Sequence, residues 1–153
     1  MRRAALPAAI LALALFMAGP ARAEPITDAD AAAVRAGAKI DVECLKRDKV
    51  KDVGDCRMAA TGSKQPDLLM LGFTFHMWFS DALLAELYRK QNGKAEIAAL
   101  FENLANAEYP PLYVAERQLH LEVSDLCRMT EVDCATAHRF NAQWLQRIRR
   151  KQP

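Results

Sequence analysis

Four cysteines and three histidines are the side chains of this 153-residue sequence best equipped for chemistry. Cys44, Cys56, Cys127 and Cys134 form an even set without a C-x-x-C pair, which argues against a zinc site and for two disulfides. Three pairings are possible. Cys44–Cys56 and Cys127–Cys134 are expected, because each pair is close in sequence and straddles a bend; the crossed pairings would require the two ends of the domain to meet. His76 lies in a long apolar run. It is expected to be a core histidine hydrogen-bonded to a neighbour, the alternative being a pocket histidine facing a cleft between helices. His120 follows Glu116 by four residues, the spacing of a surface ion pair or, more sharply, of an acid–base pair or half a metal site. Ser124 continues that spacing, but three members on one straight helix cannot bring the acid to the far ring nitrogen. His138 reads as solvent-facing.

No Gly-rich phosphate loop, H-E-x-x-H, G-x-S-x-G or S-x-x-K motif occurs, so no catalytic residue, metal or cofactor is assigned. Phe73, Phe75, Trp78 and Phe79 are expected to pack the core, with an apolar ligand cavity beside His76, Phe75 and Trp78 as the alternative. Tyr109-Pro110-Pro111-Leu112-Tyr113 reads as a helix stop, and Tyr109 and Tyr113 as candidate partner contacts. Arg147, Arg149, Arg150 and Lys151 complement the dipole of a last helix or grip an acidic partner or anionic headgroups.

The elements that must hold these residues are all helical. Thr27 with Asp30 is a capping signature for a first helix over about 28–47, with a break expected at Gly37. Residues 47–55 read as a charged connector and 61–65 as a loop. From Pro66 to Lys90 an almost uniformly apolar helix ends at Asn92-Gly93; such a helix must be surrounded by others. Ile97, Leu100, Phe101 and Leu104 mark a helix over about 94–106, stopped by the prolines. A further helix is expected over about 111–127, and a last one after the Thr130–Asp133 cap. The fold expected is therefore all-α: a compact bundle of five or six helices around residues 66–90, stapled by two disulfides.

Residues 1–23 read as a secretory signal peptide cleaved after Ala23. Arg2 and Arg3 precede an apolar stretch too short to span a bilayer, and Ala21-Arg22-Ala23 supplies the cleavage pattern. Residues 24–153 then form one domain in the periplasm or outside the cell, with no transmembrane segment. The chain carries 21 Lys+Arg and 19 Asp+Glu; losing Arg2, Arg3 and Arg22 leaves 18 against 19, a net charge of −1. Nucleic acid is a poor partner for such a chain. The expected function is non-catalytic binding of another envelope or secreted protein, as an inhibitor, immunity protein or accessory factor. A small exported enzyme using a cleft histidine and a carrier of an apolar ligand are the alternatives.

Overall fold

The computed structural model describes residues 25–61 and 67–151. The expected leader with its cleavage position, and residues 62–66, lie outside the described residues. Six helices follow one another with no strand among the described residues: α1 (Asp28–Leu45), α2 (Val50–Thr61), α3 (Asp67–Arg89), α4 (Ala95–Gln118), α5 (Val123–Thr130) and α6 (Cys134–Lys151).

The Thr27 hydroxyl accepts the Asp30 N–H at 3.1 Å, and the Asp30 carboxylate accepts the Thr27 N–H at 2.9 Å, closing the expected capping box. The break expected at Gly37 is absent, and α1 runs unbroken. Gly37 serves close approach instead. A Cβ there would sit 1.8 Å from the Leu69 carbonyl oxygen of α3, and one at Gly72 would sit 1.9 Å from the Val34 carbonyl oxygen of α1. The two helices therefore cross backbone to backbone. Gly72→Ala is expected to destabilise by about 2 kcal/mol, because the forced separation outweighs the helix propensity gained. Gly54→Ala in α2, where nothing lies within 4 Å of the added carbon, is expected to stabilise by about 1 kcal/mol. Thermal unfolding of both variants checks the contrast.

α3 is the spine, contacted by α1, α4, α5 and α6. It is the one described helix long and apolar enough to cross a membrane, but 61% of its apolar window is buried inside the bundle. Phe73, Phe75 and Trp78 are fully buried and Phe79 nearly so. The structure thus places these aromatics in the core.

Three further expectations fail, each for a physical reason. The connector after Arg47 is helical from Val50 onward. Its charged sequence gives no apolar stripe, and Arg57 is its only buried residue, so tertiary ties rather than a hydrophobic face hold α2. Next, Pro110 and Pro111 do not stop a helix; they lie inside α4. Two N–H donors are lost there, and helical geometry before a proline is disfavoured. Burial of Tyr109 and Leu112, at 0% and 1% exposed, outweighs this. Finally, the helix expected over 111–127 is two helices. α4 ends in a Schellman motif, with the Leu121 N–H donating to the Glu116 carbonyl at 2.9 Å, the His120 N–H to that of Arg117, and His120 at φ +53°. A histidine pays the left-handed penalty there. His120→Gly is expected to raise stability by about 1 kcal/mol, read as a shifted denaturation midpoint.

Both expected disulfides are present, Cys44–Cys56 joining α1 to α2 and Cys127–Cys134 turning the corner from α5 to α6. They fit an oxidising, extracytoplasmic compartment.

Candidate functional site

The corner made by the Cys44–Cys56 bridge lays α2 over a cluster of buried charges. Arg57 is its hub. Its Nε donates to Asp41 of α1 at 2.7 Å, its Nη1 to both carboxylate oxygens of Asp81 of α3 at 2.9 and 3.0 Å, and its Nη2 to the Ser80 hydroxyl at 3.0 Å. Asp41 and Asp81 are completely buried. His76, one turn before Ser80, brings Nδ1 to 2.7 Å from the second Asp41 oxygen. The cluster thus joins three helices through one guanidinium, whose planar fork suits two carboxylates at once.

The electrostatics follow from burial and pairing. Burial works against the Asp41 charge, yet the hydrogen bonds from His76 and Arg57 outweigh it and hold the carboxyl below its usual range. Burial likewise opposes the Arg57 charge, and the two aspartates more than compensate, raising its pKa. Glu108 of α4 lies against Asp81. Burial, then the carboxylates of Asp81 and Asp41, push Glu108 up from 4.5 to about 9. Since the guanidinium faces both Asp81 oxygens, the proton shared by Asp81 and Glu108 resides on Glu108. The buried Oε2 of Glu108, which has no partner, is consistent with a neutral acid.

The sign of the resulting pH dependence is fixed. The folded state holds a proton that the unfolded chain releases above about 4.5. The contribution of Glu108 is therefore fully present at lower pH and is lost as pH rises toward 9. Glu108→Gln keeps a neutral donor toward Asp81 and removes this loss. Its stability relative to the parent is expected to improve between pH 5 and pH 8 by roughly 4 kcal/mol. Denaturant titrations at the two pH values measure the change; a difference independent of pH would mean that Glu108 does not carry this proton.

Beside the cluster lies a groove of about 540 Å³ between the α1–α2 corner, α3 and α4. His76, Ser80 and Arg57 form its polar wall, Arg47 and Asp48 stand at the corner, and Phe79, Leu83, Tyr88, Phe101 and Leu104 contribute apolar surface. His76 is thus a histidine at a cleft wall as well as a hydrogen-bonded one, with Nδ1 taken by Asp41. The apolar space lies beside Phe79, whereas Phe75 and Trp78 are packed at 0% exposure. Ser80 is occupied, with its hydroxyl 2.9 Å from the Met77 carbonyl and 3.2 Å from Asp41.

The remaining expected site residues are scattered. Glu116 and His120 do not share a helix face, because His120 sits in the left-handed turn and is exposed while Glu116 is buried. Ser124 lies beyond that turn in α5. Tyr109 is core, its hydroxyl donating to Asn141 of α6, and so cannot be a surface contact as such. Tyr113 is half-buried, next to Arg117. Arg147 is tied to Glu102 at 2.7 Å and Asn106 at 3.0 Å and covers the Trp144 ring, whereas Arg149 and Arg150 are exposed. Among the described residues no group of three His, Cys, Asp or Glu side chains is arranged to hold a metal.

No family model, no curated protein and no solved structure matches the chain.

Proposed function

We propose that this chain is an exported, non-catalytic binding module of the cell envelope whose groove beside Arg57 receives an apolar segment of another protein. The observation that carries the reading is the continuity of the groove with exposed apolar surface. Val50 and Leu104 line it while remaining 53% and 38% exposed, and Leu100, one turn before Leu104 on α4, is 47% exposed. A small ligand enclosed in the groove would leave this rim uncovered; a protein segment covers both.

Rigidity supports the same reading. The groove walls are tied by a disulfide and by a buried guanidinium, so little ordering remains for binding to impose. The leader-like sequence of residues 1–23 and the two disulfides support export. Within the polar wall Arg57 is held by Asp41 and Ser80 and His76 Nδ1 by Asp41, as befits a scaffold more than a reacting centre.

Capture from periplasmic extract at native expression tests the proposal. The unmodified chain is expected to retain a partner, Leu104→Glu to lose it, and Met58→Glu, changed at a position 73% exposed and outside the groove lining, to keep it. Recovery of nothing, or equal recovery with Leu104→Glu, contradicts the proposal.

The His76–Asp41 contact favours a second reading, in which His76 acts as a general base on a small substrate in the groove. Under it, His76→Gln abolishes a turnover without affecting partner capture.

A further inference from the structure

A second pocket, of about 300 Å³, opens where α4 ends, between the turn into α5 and the middle of α6. It shares no lining residue with the groove. Glu116 lies in its lining although the residue is only 6% exposed, and its Oε1 is sealed from solvent without a hydrogen-bond partner. A buried carboxyl oxygen left unpaired is costly unless something supplies a donor.

The neighbours do not supply it. The charged and titratable groups around Glu116 are Tyr109, Tyr113 and Arg117 of α4, Glu122 just before α5, and His138 of α6. Arg117 lies over the Tyr113 ring and donates to its hydroxyl at 3.1 Å. The Tyr109 hydroxyl is directed to Asn141. His138 is exposed, and Glu122 adds a second acidic group at the rim. Asn141 adds one polar side chain to the lining, and Leu121, Val123 and Leu145 make the remaining wall apolar.

We propose that this pocket binds an alkylammonium group, with the ammonium on Glu116 and the aliphatic stem along Val123 and Leu145. The chemistry selects this class. Two carboxyl groups disfavour an anion. A compact ammonium with three rotatable donors suits a single carboxylate in the pocket lining, where a planar guanidinium fork requires a bidentate face. An aliphatic stem covers the apolar wall. A lysine side chain of a partner and a free alkylamine carry the same group. Burial pushes Glu116 up from 4.5 to about 7, so the cation must replace a proton and binding strengthens as pH rises through that value.

Titration calorimetry of the oxidised protein with butylammonium, with a Gly-Lys-Gly peptide blocked at both ends, and with its norleucine counterpart tests the proposal. At pH 8 at least one ammonium probe is expected to bind with roughly millimolar affinity, and the norleucine peptide not at all. Affinity is expected to fall about tenfold or more at pH 5.5 and by a similar factor in Glu116→Gln, whose neutral side chain keeps the shape. Preference for the peptide identifies a partner's lysine as the source and preference for butylammonium a free amine; either supports the site. Absence of binding by both probes, binding indifferent to pH, or full binding by a folded Glu116→Gln overturns it.

Discussion

Arg57→Met is expected to lower stability by about 3–5 kcal/mol at neutral pH. Methionine covers the aliphatic part of the arginine, so the loss isolates the guanidinium. Without it, Asp41 and Asp81 remain buried at 0% exposure with their principal counter-charge gone, and one or both must take up a proton or draw in water. The ion pair need not be worth that much in itself, since desolvation offsets much of its attraction. A compound variant separates the two contributions. Arg57→Met combined with Asp41→Asn and Asp81→Asn leaves no stranded charge and is expected to regain a large part of the loss. Denaturant unfolding of the three proteins measures both steps. A loss below about 1 kcal/mol for the single change would mean that the cluster is solvated.

The same substitution bears on the groove. Arg57 is the one buried residue of α2, so the helix is held to the bundle by that side chain and by Cys44–Cys56. Removing the guanidinium frees the wall that carries Val50, Val53 and Gly54. Partner capture should therefore weaken in Arg57→Met even where the chain remains folded, and recover less in the compound variant than stability does. Recovery of capture in step with stability would instead place the partner's contacts away from α2.

This cluster was hidden in the sequence. Asp41, Arg57, Asp81 and Glu108 stand on four different helices, and each read alone is a charge on a solvated face. One local signal was present: Ser80 and Asp81 interrupt a run that is apolar from Met77 to Phe79 and again from Ala82 to Leu84. A charge inside such a run must find a partner when the helix is surrounded. What could be read directly was the part governed by local rules, namely the Thr27 cap, the α3 spine and cysteine pairs close in sequence. The errors arose where tertiary burial overrode local preference. α2 lacks an apolar stripe yet is helical, and Tyr109 and Leu112 carry α4 through two prolines. The groove was half legible. His76 stands out as a histidine in an apolar setting, but its partner lies 35 residues away in α1, and no spacing rule reaches that far.

Trp78→Ala is expected to destabilise by about 3–5 kcal/mol and to lower Tm by roughly 10–20 °C. Trp78 is 0% exposed, and its ring lies 5.7 Å from Phe75, 5.3 Å from Tyr109 of α4, and 6.5 and 6.0 Å from Phe140 and Trp144 of α6. It is thus where α3, α4 and α6 meet, and truncation leaves a cavity that three helices must close together. Its indole N–H has no acceptor, so Trp78→Phe gives up volume but also removes an unsatisfied donor, and is expected to lose less than half as much. The pair of variants separates packing from the polar defect by differential scanning calorimetry. An unchanged Tm in Trp78→Ala would overturn the central position of α3. That position matters for the proposed binding because α3 carries His76, Ser80 and Asp81 on its way past the groove. A spine loosened at Trp78 displaces those three side chains by the same movement, so weaker partner capture in Trp78→Ala should be matched by weaker protection of the α3 amides against hydrogen exchange around residue 80.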